Sequence, residues 1–493
     1  LGFRFYLPLL LGLLGFAAAP ASSATCPPKL NPKGDFVGNF NNACYALTLE
    51  TGGGTLQAGD PNATYDQVFY TVTPGYELVL IGNYPNARFM SVTAYDSHLA
   101  TTATVNDDAI LPLNSSMHNP YLVGGTYAPS QEYGVTISFG GTLTSTPTAG
   151  CSATDSTIDQ NILNASQIHQ GLSWNGSPYV PLGFPVHVAG ANTAGAVMVR
   201  KYLDIAGTPP EVVIVRNLAT GCGLLVSQAK QMNIISVTQT LSSSWLNQAQ
   251  ISGHRTFSDG SATTTALHPN LCFPPDPTNA LQWYRTPDYQ PEADSASADI
   301  FTTITSAQVQ SLITAQQFVQ IQFPFPSVPD IPCTAGSSCS LTGAENLRYL
   351  SLALQGPSGG SSRLTLAAIA DTNFVKDPNG NVTLVIGLGA TPPPTLTAAN
   401  GYTYLDLTGN PNLSMLERFY IRNILPNPLF LCADGNVPFY SMEYNPEGGY
   451  MGPNVPTMSF VTAAQIPSVP PVPPARPNSC GLIPPAPTAC TTN

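Results

Sequence analysis

Apolar residues fall at every second position through several short stretches of the chain. In Arg88-Phe89-Met90-Ser91-Val92-Thr93-Ala94, the residues Arg88, Met90, Val92 and Ala94 share one face of an extended chain, because alternate side chains of a strand project the same way. Arg348, Leu350, Leu352 and Leu354 repeat that face later on, and Val135, Ile137 and Phe139, then Val382, Leu384 and Ile386, give two further inward-facing stripes. Each of these stretches is predicted as a strand with one face in a core. Turn chemistry separates such runs, as in Asp377-Pro378-Asn379-Gly380, where Gly is free to take positive φ. Helical periodicity is sparse: one helix capped by Ser306 is expected to run to Gln317, and a second is expected over 157–170.

The strands recur in order. Asn86 to Val92 is echoed by Asn346 to Leu352, Val105-Asn106-Asp107 by Ile369-Ala370-Asp371, and Val135 to Gly140 by Val382 to Gly387. A fourth match sets Glu211 and the strand through Arg216-Asn217-Leu218 against Glu417 and the strand through Arg422-Asn423-Ile424. Such repetition predicts two tandem lobes of similar fold. Short strands between turns, in lobes of about 200 residues, predict a mainly β chain of two antiparallel β-sandwich or jelly-roll-like lobes. The expected boundaries are residues 25–230 and 231–450. The remainder, 451–493, is a proline-rich tail in which Pro467, Pro470, Pro471, Pro473, Pro474 and Pro477 favour an extended strap or spacer.

The stretch from Tyr84 to Asp96 resembles the aromatic-Arg-aromatic, Ser, Tyr-Asp strand of exported bacterial β-sandwich proteins of unknown function. Arg422-Asn423-Ile424-Leu425-Pro426 is similar to the strand and proline that close their sandwich. In the second copy, Gln355-Gly356 stands where the pattern has Tyr-Asp. The resemblance implies an envelope or extracellular location and a β fold, and it implies no reaction.

The N-terminus points the same way. Arg4 precedes the apolar run from Leu7 to Phe16, and Ala17 to Ala24 is rich in small residues, so residues 1–24 read as a signal peptide. No later stretch reaches the roughly 18 uninterrupted apolar residues of a membrane span. All ten cysteines follow the expected cleavage site, and an even count in an exported chain favours disulfides over metal. Cys26 with Cys44, Cys333 with Cys339, and Cys480 with Cys490 are candidate pairs. Only 9% of residues are charged and the formal net charge is -12, which argues against nucleic acid and anionic membranes as partners.

Candidate chemistry is thin. Gly356-Pro357-Ser358-Gly359-Gly360 satisfies GxSxG, but a hydrolase would set the serine between a strand and a helix. The residues after Ser358 instead align with a β segment, and all six histidines precede residue 269, which forbids the Ser…Asp…His chain order. Asp96 and His98, two apart beside Asp107-Asp108, form a polar cluster with ligand or catalytic potential, although a solvated loop explains them equally well. Trp174, Trp245, Trp283 and Tyr284 lie outside the repeated strands; they are candidates for stacking on sugar rings, with core packing as the plain alternative. Arg88 is expected to pair with Asp107, and Arg348 with Asp371, since an arginine on a core face needs a partner. Arg216 and Arg422 are expected to serve structure at strand ends. No cofactor and no metal site is expected.

The chain therefore reads as an exported, non-catalytic binding or surface-structural protein. Its expected partner is polysaccharide or another envelope or extracellular protein. The alternative is a secreted hydrolase using Ser358 or a site around Asp96 and His98.

Overall fold

The computed structural model describes residues within the spans 44–236 and 284–473, apart from internal stretches of which 425–455 is the longest. The signal peptide, His98, Trp245, Trp283 and the three candidate cysteine pairs as pairs lie outside the described residues. The first span carries β1 (Ala46–Thr48), β2 (Glu50–Thr51), β3 (Ala63–Thr71), β4 (Tyr76–Asn83), β5 (Phe89–Tyr95), β6 (Thr101–Asn106), β7 (Glu132–Ser138), β8 (Ile162–Asn164), β9 (Ser173–Trp174), β10 (Ser177–Pro178), β11 (Ala194–Tyr202), β12 (Val212–Asn217), α1 (Val226–Gln231) and β13 (Ile235–Ser236). The second carries β14 (Tyr284–Arg285), β15 (Ile300–Thr303), α2 (Ser306–Thr314), β16 (Gln317–Pro324), β17 (Tyr349–Gly359), β18 (Ser362–Ala370), β19 (Asn381–Gly387), β20 (Tyr402–Asp406), β21 (Arg418–Ile424) and β22 (Thr457–Thr462).

The protein is mainly β, and each span forms two facing sheets, with β9 and β10 making a separate two-stranded pair in the first. In the first, β1-β12-β4-β7-β8 faces β13-β3-β11-β5-β6, with β2 added to β3. In the second, β20-β19-β16-β22 faces β14-β15-β21-β17-β18. All pairings are antiparallel except β7 with β8 and β19 with β20, which are parallel at the same place in each lobe. The predicted stripes form the cores. Met90, Val92 and Ala94 of β5 pack with Val135 and Ile137 of β7 across the first sandwich; Leu350, Leu352 and Leu354 of β17 pack with Val382, Leu384 and Ile386 of β19 across the second. Burying such side chains stabilises each sandwich by roughly 1.5–3 kcal/mol per residue before entropy is counted.

Three repeats coincide with equivalent strands, and the fourth does not. β12 sits between β1 and β4, whereas β21 sits between β15 and β17, the place β11 takes between β3 and β5. The registers agree, since Arg200 of β11 lies opposite Ser91 and Arg422 of β21 lies opposite Ser351. Two strands of similar composition, each carrying Arg-Asn near its end, resemble each other without occupying one position.

The helices also differ from expectation. Thr305, not Ser306, caps α2: its hydroxyl accepts from the Gln308 amide while the Gln308 side chain accepts from the Thr305 amide. Within 157–170 the described residues hold the short strand β8. Asn161 competes with helix there, because its side chain donates to the carbonyls of Leu111 and Gly134 and accepts from the Leu111 amide. α1 was not visible in the periodicity. The connection between β3 and β4 is a tight turn in which Gly75 takes φ +83°, and α2 occupies the equivalent connection between β15 and β16.

β13 pairs with β3 beyond the expected boundary at residue 230, and β22 pairs with β16, so the segment after 451 expected as a tail contributes a sheet strand. The prolines that follow run as a strap against this sheet, with Tyr402 donating to the Pro467 carbonyl and Gln322 to the Pro471 carbonyl. Cys151 and Cys222 form a disulfide that ties the turn after β12 to the segment following β7, a pairing the sequence reading did not anticipate; Cys44 is disulfide-bonded as well.

Candidate functional site

Two polar constellations are buried where apolar packing would be the default. The first joins the lobes. Arg88 and Arg348 stand just before β5 and β17, and the amide of each donates to the last residue of the neighbouring strand, Tyr202 or Ile424, at 2.7 Å. Asp107 and Asp371 follow β6 and β18, and each carboxylate accepts from an amide of its own lobe: Met90 at 2.8 Å and Leu350 at 3.2 Å. The guanidinium groups cross over. Arg88 Nη2 lies 3.0 Å from Asp371 Oδ1, and Arg348 Nη2 lies 2.9 Å from Asp107 Oδ2. The expected pairings within each lobe are therefore corrected: each arginine leaves the end of its strand towards the other lobe, while each aspartate stays bound to its own backbone. Burial pushes Asp107 up to about 7 and Asp371 up to about 6, against the opposing pull of the arginines.

Around these pairs, Phe89 and Tyr202 of the first lobe pack on Tyr349, Ala370 and Ile424 of the second. Asp60 accepts from Tyr349 at 2.7 Å and also from the Ser351 hydroxyl, across the seam. Arg422 donates to the hydroxyls of Tyr65 and Tyr202, and Arg216 pairs with Glu77 directly opposite it at 2.6 Å. Both arginines thus bind structural partners.

The second constellation closes one end of the first sandwich. Lys201 continues the core stripe Val197, Val199; Asp66 begins the stripe Val68, Tyr70; Glu211 begins Val213, Val215; and Tyr133 begins Val135, Ile137. Parity therefore points all four side chains inward. Lys201 Nζ lies 2.7 Å from Asp66 Oδ2 and 3.0 Å from Glu211 Oε1, with the Pro209 carbonyl at 3.3 Å. Tyr133 donates to Glu211 Oε1 at 2.8 Å, and Thr51 donates to Asp66 Oδ1 at 2.6 Å. The Lys201 and Glu211 side chains are 0% exposed, and Asp66 is 1% exposed. Burial pushes Glu211 up to about 7 in spite of Lys201; burial also lowers Lys201, but Glu211 and Asp66 outweigh it and hold the ammonium above its ordinary range. Gly82 makes the space, since a Cβ there would lie 2.6 Å from Glu211 Cγ and 3.0 Å from the Tyr133 hydroxyl.

Of the residues singled out in the sequence, the described ones stand on different elements. Asp96 is buried at the end of β5, and His98 lies outside the described residues. Asp108 is exposed. Ser358 lies within β17, with Arg363 of β18 as its register partner, so a strand follows it where a nucleophile elbow requires a helix. Trp174 is in the β9–β10 pair and Tyr284 pairs with Phe301 of β15, on separate sheets. Among the described residues, no group of three or more His, Cys, Asp or Glu could hold a metal ion, and no helix is long and apolar enough to cross a membrane. Lys201, Asp66, Glu211, Tyr133 and Asp60 were missed. The signal for the first three was available: a charge standing in step with a core stripe.

No family model matches the chain, and no curated protein is similar to it. Among solved structures, the chain is similar to an uncharacterised protein from Burkholderia cenocepacia, with 12% identity and a TM-score of 0.43 over 88% of this chain and 86% of that one. It is also similar to a protein from Vibrio parahaemolyticus, with 9% identity and a TM-score of 0.35 over 82% and 90% of the two chains.

Proposed function

We propose that this chain is an exported, non-catalytic binding or surface-structural protein whose two sandwich lobes work as one unit, with polysaccharide or another extracellular or envelope protein as partner. The observation that carries the reading is the crossed seam. Arg88, Asp371, Arg348 and Asp107 are engaged in holding one lobe to the other, and Asp60 binds Tyr349 and Ser351 across the same junction. Polar groups held this way build a scaffold with loops at its ends, where binding function commonly resides. The Cys151–Cys222 disulfide supports an oxidising compartment. The hairpin setting of Ser358 speaks against the form of the hydrolase alternative that uses Ser358.

A thermal-shift screen against polysaccharide fragments, paired with labelling by a serine-directed fluorophosphonate, tests the reading. A polysaccharide fragment that raises the melting temperature without labelling is the expected result, because a ligand of the folded state stabilises it by mass action. Labelling that disappears in Ser358→Ala would overturn it in favour of a hydrolase.

A further inference from the structure

The arrangement of Lys201, Asp66 and Glu211 asks more than an ion pair would. Two carboxylates surround one ammonium in a space from which water is excluded, leaving one uncompensated negative charge unless a proton is taken up. Glu211 is the group whose burial favours that proton. With Glu211 protonated, the remaining lysine and aspartate are a zwitterion in a low dielectric, one proton transfer away from a neutral amine touching a neutral carboxylic acid. Desolvating an ion pair is costly, and its mutual attraction often fails to repay that cost. Replacing it with an amide removes both charges.

We infer that Lys201 and Asp66 condense into an intramolecular amide that staples β11 to β3, with Glu211 as the catalytic proton relay. The Nζ lone pair attacks Asp66 Cγ, forming the N–C bond. Glu211 takes a proton from Nζ and returns one to the departing Asp66 oxygen, which leaves as water; Glu211 ends as it began. Lysine amine plus aspartic acid becomes amide plus water, with no oxidant, reductant or co-reactant.

The geometry suits each part. Nζ is 2.7 Å from Oδ2, the oxygen that leaves, while Oδ1, which stays as the amide carbonyl, accepts from Thr51 at 2.6 Å, a donor placed for the charge that builds during attack. Glu211 Oε1 touches Nζ and is held there by Tyr133, so the oxygen that exchanges protons with the amine is already in place, while Glu211 Oε2 is buried with no hydrogen-bond partner. Asp66 faces Val199 in the β3–β11 register, so the two reacting side chains are diagonal neighbours on adjacent strands, fixed by the sheet itself. Fixed partners of this kind reach effective concentrations on the order of 10⁵–10⁸ M. The dry surroundings that favour condensation also protect the product from hydrolysis.

Peptide mapping decides the matter. The full chain, purified after expression with its export signal, is reduced, denatured, weighed intact and digested with trypsin. The expected result is a mass one water below that of the chain left after signal cleavage, no cleavage after Lys201, and a branched species joining peptide 34–88 to peptide 201–216 through Asp66 and Lys201. Glu211→Gln is expected to restore the full mass and the cleavage after Lys201. Lys201→Arg is expected to abolish the branched species, so the assignment stands even where the Glu211 variant fails to fold. Full mass with free peptide 202–216 in the unaltered protein would overturn the inference, as would a water loss that fragmentation maps to any other residue.

Discussion

At corresponding ends of the two sandwiches, Gly82 faces Tyr133 in the first lobe, whereas Phe325 faces Gly380 in the second. The large and the small residue have changed places across one strand pair. In the first lobe the missing side chain at Gly82 admits Glu211 and the Tyr133 hydroxyl, and with them Lys201 and Asp66. In the second, Phe325 joins Phe323 and Phe374 in an aromatic plug, with Lys376 over the Phe325 ring at 4.8 Å and close to the plug's rim. One strand plan therefore accepts either a charged closure or an aromatic one. The aromatic closure needs only volume, and the charged closure needs every partner in place.

The largest effects are expected where a single partner is removed from a buried pair. Arg348→Ala should cost about 3–5 kcal/mol, because it leaves Asp107 buried and unpaired, and the loss should fall on the first lobe although the mutation is in the second. Denaturant unfolding followed by hydrogen exchange of β5 and β6 checks this; a loss confined to the second lobe would contradict the crossed pairing. Phe323→Ala tests the aromatic closure by cavity formation and should cost roughly 3–5 kcal/mol in the same measurement. Gly82→Ala should cost about 1–3 kcal/mol by crowding Glu211, whereas the same alanine at Gly380, where φ is +79° and the space is open, should cost only through its backbone conformation.

A separate expected effect is on pH. Asp107, Asp371 and Glu211 are all held above the ordinary carboxylate range, to about 7, 6 and 7. The folded state then binds more protons than the unfolded one between the ordinary carboxylate range and those values. The stability these groups contribute is full below that range and is lost as pH rises through about 7. The melting temperature should accordingly be higher near about pH 5 than near about pH 8. Arg348→Ala should steepen this dependence, since Asp107 then loses the charge that favours its ionised form.

Alternation made the cores legible, because parity depends only on the strand itself. Leu350, Leu352 and Leu354 could be set inward without any knowledge of what they meet. Partnership is a different matter. Arg88 and Asp107 lie close in sequence and on neighbouring strands, yet the counter-charge for each comes from the other lobe, a fact fixed by docking and invisible to periodicity. The match of β12 to β21 failed for a related reason, since composition reports burial and not sheet position. Lys201 was readable in principle: a lysine in step with Val197 and Val199 has nowhere to go but inward.

The crossed seam also sets an order of events at the ribosome. When the first lobe has been synthesised it holds Arg88 and Asp107, but the counter-ion of each is still to come, and Asp371 follows Arg88 by 283 residues. A domain that emerges first would ordinarily fold first. Here burial of the Arg88 and Asp107 ion pairs waits for the second lobe, so the seam closes only when most of the chain exists. Two lobes that look like successive copies are, in the time course of their making, finished together.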